Sequence, residues 1–228
     1  MSADNGVTEQ HLTLAVAGGE VSARLALPEG ARASYVLAHG AGAGMLHPFM
    51  SAAAGGLAAL GIATLRYQFP YMERRSRRPD PPPLCHATVR AAVAAAAQHT
   101  SGLPLIAGGR SFGGRMTSQA QALTPLPGVR GLAFLGFPLH PAGQPGDSRA
   151  RHLFEVQLPM LFLQGTRDEL AERSLLQALI ERLGAQVTLS LVPEADHAFH
   201  VPAKSGRGEA EVRAGLWAAI AAWSATLP

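Results

Sequence analysis

The stretch Gly108-Gly109-Arg110-Ser111-Phe112-Gly113-Gly114 decides the fold of this chain. It contains a G-x-S-x-G pattern, follows an apolar run and precedes residues whose pattern predicts a helix. A serine on a sharp strand-to-helix turn has strained backbone angles, and only small residues fit two positions before and after it. The turn lifts the hydroxyl above the sheet and aims the helix N-terminus at developing negative charge. The pattern makes Ser111 a candidate nucleophile, which the rest of the chain has to support.

The context of this pattern matters because glycine makes up 25 of the 228 residues, so that G-x-S-x-G arises by chance. A hydrophobic fraction of 47% and a charged fraction of 15% are typical of a globular protein. The length predicts one domain over residues 1–228. Cys85 is the only cysteine, which excludes an intramolecular disulfide, and we predict that it packs in the core. The His, Asp and Glu residues lack metal-ligand spacing, so we expect no metal and no cofactor.

The N-terminal residues 1–6 lack the basic and apolar regions of a signal peptide, and no run approaches the roughly 18 apolar residues of a membrane span. We therefore expect a soluble cytoplasmic protein without a membrane partner. The net charge is +3, and much of the excess lies in Arg74-Arg75-Ser76-Arg77-Arg78. Because no aromatic residues are interleaved with these arginines, we expect a solvated loop and no nucleic-acid partner. A role at the rim of a pocket for anionic substrates stays open, as does the oligomeric state.

Hydrophobic patterning predicts strands that alternate with helices. The predicted strands are His11–Ala17, Val21–Leu27, Tyr35–Ala38, Ile62–Tyr67, Leu103–Ala107, Val129–Leu135, Pro159–Gln164 and Val187–Val192. The predicted helices are Pro48–Leu60, Leu84–His99, one from the Ser111 turn to about Leu123, Leu170–Leu183 and Glu209–Leu227. Residues 68–83 and 136–147 are rich in Gly or Pro and are predicted to be loops, the first over one side of the site and the second too short for a folded lid.

This order predicts an α/β fold with a mostly parallel, doubly wound sheet of about eight strands and helices on both faces. The first two strands form a hairpin around Gly18-Gly19, which adds an antiparallel N-terminal edge. Ligands of such sheets bind beyond the carboxyl ends of the strands. The Gly-rich segment 39–44, the Ser111 turn and the residues after Gln164 and Val192 all follow predicted strands. We expect these four segments to meet at one edge of the sheet.

A serine hydroxyl needs a base that takes its proton and a carboxylate that orients the base. Asp168 follows one predicted strand and His197 follows the next, so the chain order is Ser111, Asp168, His197. The sequence therefore predicts a catalytic triad of these three residues, with serine as nucleophile, histidine as base and aspartate as its partner.

Other residues compete for these roles. Asp168 could instead cap the helix that follows it. Glu194 and Asp196 are alternative acids, although they adjoin the histidine on one loop and are better suited to shaping that loop. His200 is an alternative base, and the sequence D-H-x-F favours His197.

The oxyanion formed in acyl transfer needs preorganised N–H donors. We predict the amides of Phe112 and Ala41 as these donors. The Gly-rich loop lets the backbone approach the substrate closely, so His39, Gly40 and Gly42 are predicted at the substrate site. His39 is expected to anchor the loop by hydrogen bonds and not to transfer protons in the reaction. The loop has no G-K-[ST] ending, which argues against a phosphate-binding loop.

Two arginines adjoin the serine turn. We include Arg110, the residue before Ser111, among the predicted substrate-binding residues. Arg110 and Arg115 are candidates to attract a carboxylate or phosphate on the substrate, or to pair with surface acids.

The serine turn, the Gly-rich loop and the order of the three candidate residues together resemble the α/β-hydrolase superfamily over nearly the whole chain. The segments G-T-R-D at 165–168 and D-H-A-F at 196–199 resemble the acid and histidine loops of its small lidless members, the dienelactone-hydrolase-like and carboxylesterase-like proteins. The resemblance implies the α/β-hydrolase fold and a serine hydrolase that cleaves a small carboxylic ester or thioester through an acyl-enzyme. Dienelactone hydrolases proper carry a cysteine where Ser111 stands, so the resemblance does not imply a dienelactone substrate.

A catalytically silent hydrolase fold, used as a binding or scaffold module, is the alternative function, because fold alone does not decide function. The segment Arg74 to Arg78 would then suit a protein contact. The presence of Ser111, Asp168 and His197 together favours the enzyme and a small-molecule ester substrate.

Overall fold

The computed structural model describes residues 6–228, which build an eight-stranded sheet covered by helices. The strands are β1 (Val7–Val16), β2 (Gly19–Pro28), β3 (Ala33–Ala38), β4 (Ile62–Tyr67), β5 (Leu105–Arg110), β6 (Val129–Leu135), β7 (Met160–Gly165) and β8 (Val187–Val192). The helices are α1 (Pro48–Ala58), α2 (Pro70–Glu73), α3 (Pro82–His99), α4 (Phe112–Leu123), α5 (Arg173–Leu183) and α6 (Glu209–Ser224), and a 3₁₀ helix covers Ser148–Glu155. The expected absence of a signal peptide concerns residues 1–6, and residues 1–5 lie outside the described part of the chain.

The strand order is β1-β2-β4-β3-β5-β6-β7-β8. The pairs β1–β2 and β2–β4 are antiparallel, and every other neighbouring pair is parallel. The predicted fold class is therefore confirmed, including the antiparallel N-terminal edge. Because β3, β5, β7 and β8 run parallel, the four segments that follow them emerge at one edge of the sheet.

Two hydrophobic cores lie on opposite faces of the sheet. The first packs α3, α4 and α5 against residues such as Val36 and Phe134. The second packs α1 and α6 against Tyr35 and Leu37, with Trp217 among its largest side chains. Successive residues of β3 thus point into different cores, and every residue of this strand is buried. This explains its continuous apolar run, since a strand covered on both faces has no polar side.

Several element boundaries differ from the predictions: β5 covers Leu105–Arg110 instead of Leu103–Ala107, and α5 begins at Arg173 instead of Leu170. Two further differences have clear physical reasons. Strand β1 begins at Val7 rather than at residue 11, because an outer strand with exposed positions tolerates the polar residues 8–10. The prediction that 68–83 is loop throughout is wrong, because α2 lies within it and α3 already begins at Pro82. Proline suits the first position of a helix, where its missing N–H would have no intrahelical partner.

Candidate active site

The turn at Ser111 joins β5 directly to α4. Ser111 lies between Arg110, the last residue of the strand, and Phe112, the first of the helix, with φ +49° and ψ −117°. A positive φ is uncommon for a residue with a side chain, so this backbone is strained. Its amide donates to the Leu135 carbonyl at 3.1 Å, and its carbonyl accepts from the Arg115 amide at 3.1 Å. These two bonds hold the strained turn between β6 and the first turn of α4.

The two glycines of the G-x-S-x-G pattern lie against the end of β3. A Cβ on Gly109 would stand 2.3 Å from the Ala38 carbonyl oxygen, and one on Gly113 would stand 2.5 Å from the His39 carbonyl oxygen. Neither distance is open to a real Cβ, and the opposing atoms are backbone. The spacing therefore follows from the close approach of the serine turn to the end of β3.

The structure brings the three predicted triad residues into one hydrogen-bonded chain. His197 Nε2 lies 2.8 Å from Ser111 Oγ, and His197 Nδ1 lies 2.7 Å from Asp168 Oδ2. The Asp168 side chain is fully buried, whereas that of His197 is 24% exposed. Because a carboxylate only accepts hydrogen bonds when ionised, Asp168 selects the tautomer with a proton on Nδ1 and leaves Nε2 free to accept the serine proton.

Further hydrogen bonds orient the Asp168 carboxylate. Oδ2 accepts from the side-chain amide of Gln164, and Oδ1 accepts from the backbone amide of Leu170 at 2.8 Å. The alternative in which Asp168 caps the next helix is wrong, because α5 begins at Arg173 with Glu172 as its N-cap. The role of Gln164 was not predicted, since a glutamine at the end of an apolar strand has no distinctive sequence pattern.

The competing residues of the histidine loop point elsewhere. Asp196 Oδ1 accepts from the amides of Ala198 and His200, at 2.8 and 2.9 Å, and so closes the loop. The His200 ring is 58% exposed and faces the carboxylates of Asp196 and Glu209. The side chain brought to Ser111 from this loop is that of His197.

The Gly-rich loop passes beside Ser111, since a Cβ on Gly40 would stand 3.8 Å from the Ser111 Cβ. Within residues 6–228 the amides of Ala41 and Phe112 donate to no other group, and both residues line a cavity at Ser111. The amide of Gly42 donates to the Tyr71 hydroxyl at 3.2 Å. Two unpartnered amides next to a serine hydroxyl are suited to hold an oxyanion.

The cavity at Ser111 has a volume of about 430 Å³. Segment 68–83 contributes Pro79, Asp80 and Pro82 to its wall, in agreement with the predicted position of that loop. Arg115 and Arg149 also line it, and Arg149 was not singled out in the sequence. A larger cavity of about 760 Å³ lies beside the β1–β2 hairpin and the end of α3, and none of the predicted site residues lines it.

The structure does not bring Arg110 into the cavity at Ser111. Its guanidinium carbon stands 4.7 Å from the centroid of the Phe49 ring, among the residues of α1. Burial lowers the pKa of this guanidinium, and the nearby Asp196 carboxylate partly opposes that shift. Arg110, the residue before Ser111, therefore packs on the other side of the turn from Arg115.

A family model described as an alpha/beta hydrolase domain matches residues 31–225. The chain belongs to the α/β-hydrolase family. This confirms the resemblance drawn from the sequence. None of the helices formed by residues 6–228 combines the length and apolar character that a membrane crossing requires. The same part of the chain has no group of three His, Cys, Asp or Glu side chains arranged for a metal ion.

Solved structures of other α/β hydrolases share this fold. A dienelactone hydrolase from Anabaena variabilis is 23% identical, with a TM-score of 0.74 over 96% of this chain and 95% of that one. A serine hydrolase without a lid from Xanthomonas campestris is 24% identical, with a TM-score of 0.73 over 96% and 95%. A cold-adapted esterase from an Arctic intertidal metagenomic library is 19% identical, with a TM-score of 0.69 over 98% and 95%. At these identities the comparisons establish the fold alone.

His39 of this α/β hydrolase is fully buried beneath the Gly-rich loop. Its Nδ1 donates to the Gly40 carbonyl at 2.8 Å, because Nε2 is occupied as acceptor of the Phe69 amide at 3.1 Å. Burial lowers the pKa of His39 to about 4. His39 thus anchors the loop, as expected, but the structure does not bring its side chain to the cavity at Ser111.

The buried His39 predicts that the protein loses stability in mild acid. Its pKa is about 4 in the folded protein and 6.5 ordinarily, so below pH 6.5 the unfolded chain binds a proton that the folded protein does not. The free energy of unfolding should therefore fall as the pH drops from 6.5 to 4, by about 3 kcal/mol from this residue. Urea unfolding at several pH values across this range measures the slope.

A His39→Gln variant isolates this contribution. We expect a lower stability than wild type at neutral pH and a shallower decline towards pH 4, because glutamine does not titrate. Burial also lowers the pKa of His152 to about 4, and that residue contributes equally to both proteins. Equal slopes in the two proteins would contradict the assignment to His39.

The basic segment Arg74 to Arg78 is tied to the cavity wall. The Arg74 guanidinium pairs with the Asp80 carboxylate, which also accepts from the Tyr71 amide at 2.7 Å. The segment's other arginines are exposed. Cys85 packs in the core as predicted, next to the Asp80 carbonyl, and burial raises the pKa of its thiol to about 12.

Proposed function

We propose that this α/β hydrolase, acting as a single domain over residues 1–228, cleaves small carboxylic esters or thioesters with Ser111 as its nucleophile. The observation that carries the proposal is the hydrogen-bonded chain from Ser111 through His197 to Asp168, with 2.8 and 2.7 Å between the paired atoms. A purely binding role for the fold would not require these three side chains to meet.

In the first half of the reaction, Ser111 Oγ attacks the carbonyl carbon while His197 Nε2 accepts its proton. Asp168 accepts a hydrogen bond from the Nδ1–H group and stabilises the imidazolium that forms. His197 then gives the proton to the departing alcohol or thiol, and the acyl group stays on Ser111. In the second half, water attacks the acyl-enzyme with His197 as general base, and the free acid leaves.

The negative charge on the carbonyl oxygen is stabilised by groups already in place. The amides of Ala41 and Phe112 have no other partner within residues 6–228, so they are available to the oxyanion. The N-terminus of α4 points at the same position and adds a favourable dipole. Preorganised donors of this kind cost no reorganisation during the reaction.

The cavity supports a small substrate. Its volume of about 430 Å³ lies towards the lower end of ligand pockets, which span roughly 300–1,000 Å³. Segments 68–83 and 136–147 flank the strand ends without a folded lid domain. We therefore favour short acyl groups.

Labelling with a fluorophosphonate probe tests the proposal. We expect wild type to take up label on Ser111, because His197 activates its hydroxyl, and Ser111→Ala to take up none. His197→Ala should label far more slowly. The adduct is located by mass spectrometry of the purified protein.

Ser118→Ala is the matched control for this labelling. Ser118 Oγ lies 2.8 Å from His152 Nε2, but Ser118 is buried and donates to the Arg115 carbonyl at 3.0 Å. The control should label like wild type. A folded wild type that takes up no label would overturn the enzyme proposal and direct the search to a binding partner.

A further inference from the structure

Two arginines of the cavity at Ser111 have no acidic partner. Arg115 and Arg149 both line this cavity, and within residues 6–228 neither guanidinium forms an ion pair or a hydrogen bond. The Nε of Arg115 is buried and unpartnered. Buried donors normally have partners, so the buried Arg115 Nε, beside a second half-buried arginine without an acidic partner, indicates a missing anionic ligand.

The two side chains reach the cavity from separate elements. Arg115 lies one helical turn after Ser111 on α4, and its guanidinium carbon stands 5.8 Å from the centroid of the Phe112 ring. Arg149 lies on the 3₁₀ helix after β6, where its amide donates to the Leu139 carbonyl at 3.4 Å. Convergence of α4 and the 3₁₀ helix therefore creates a positively charged wall beside the nucleophile.

The groups around Arg115 do not neutralise the positive charge of its guanidinium. Burial and the neighbouring Arg149 lower its pKa. His152 is nearby, and the field of Arg115 helps to lower the pKa of that imidazole. Asp80 also lines the cavity, but its carboxylate is engaged by the Arg74 guanidinium and the Tyr71 amide. The unpaired positive charges cost free energy that a bound anion would relieve.

We propose that Arg115 and Arg149 form an anion subsite that binds a carboxylate on the substrate, so that the preferred substrates are small esters or thioesters with a free carboxylate. The planar donor edge of a guanidinium matches the two oxygens of a carboxylate, which favours bidentate binding. The inference rests on the proposed function, since it assigns part of the substrate to the cavity at Ser111.

Matched ester pairs test the subsite. One pair is para-acetoxybenzoate and its methyl ester, which differ in charge on the alcohol side. The other is the para-nitrophenyl monoester of adipic acid and its methyl ester, which differ on the acyl side. We expect wild type to favour the anionic member of at least one pair by about tenfold or more in kcat/KM, mainly through KM.

Arginine variants identify the residues responsible for the preference. In Arg115→Gln and in Arg149→Gln the anionic-to-neutral ratio of kcat/KM should fall towards one. Arg151→Gln is the control, because Arg151 lies on the same 3₁₀ helix, is exposed and does not line the cavity, so the wild-type ratio should remain. A ratio near one in wild type, or a ratio that survives both arginine substitutions, would overturn the subsite.

Binding without turnover separates this inference from the proposed function. Benzoate binding to Ser111→Ala, measured by calorimetry, should weaken about tenfold or more when Arg115→Gln or Arg149→Gln is added, and should not change when Arg151→Gln is added. If benzoate binding depends on the arginines but wild type takes up no fluorophosphonate, the assignment of Ser111 as nucleophile is overturned and the subsite is kept. If Ser111 is labelled but benzoate binds equally well after either arginine is replaced, the subsite is overturned and the nucleophile is kept.

Discussion

Replacement of Ser111 by alanine should lower kcat for a short ester by about 10⁴-fold or more. Without Oγ no acyl-enzyme forms, and the remaining activity comes from binding and from the Ala41 and Phe112 amides. Hydrolysis of a short para-nitrophenyl ester by purified protein gives the rate. Thermal unfolding of the same sample establishes that the variant is folded.

The double variant Ser111→Ala/His197→Ala distinguishes one catalytic unit from two separate contributions. His197 Nε2 lies 2.8 Å from Ser111 Oγ, so in the proposed reaction the two side chains act on one proton. Residues that act as a unit have non-additive effects, so the double variant should be little slower than Ser111→Ala alone. A loss of kcat in the double variant equal to the product of the losses in the two single variants would contradict a shared proton transfer.

Replacement of Gly109 by alanine should strongly destabilise the protein. The new Cβ would stand 2.3 Å from the Ala38 oxygen and 2.8 Å from its nitrogen, at a φ of +147° that side chains rarely adopt. Since the opposing atoms belong to the backbone of β3, no side-chain rotation relieves the clash. We expect a loss of about 4 kcal/mol or more, a large part of the roughly 5–15 kcal/mol that stabilises a typical domain.

Gly215→Ala is the control for this substitution. Gly215 lies on α6, is exposed, and a Cβ there would meet nothing within 4 Å. Because alanine favours a helix, this variant should be more stable than wild type by about 0.5–1 kcal/mol. Urea unfolding compares the three proteins, and a Gly109→Ala protein as stable as wild type would contradict the close packing of β5 on β3.

The sequence by itself determined the features that depend on local pattern. Alternating and continuous apolar runs located all eight strands, because side-chain periodicity follows directly from backbone geometry. The strand order in turn predicted which loops meet, since parallel strands place their carboxyl ends at one edge. That rule was sufficient to select Ser111, Asp168 and His197 as neighbours, and their side chains meet within hydrogen-bonding distance.

Only the tertiary structure decided which surrounding groups face Ser111. Arg110 and Arg115 flank the same turn, yet the first packs on Phe49 and the second lines the cavity, because the turn separates the two faces of the sheet. The sequence also gave no sign of Arg149, which a distant 3₁₀ helix brings to the same cavity. His39 follows a strand, as a substrate contact would, but the packing of Phe69 and the Gly-rich loop buries it. Such outcomes depend on contacts between residues far apart in the chain, which local pattern does not encode.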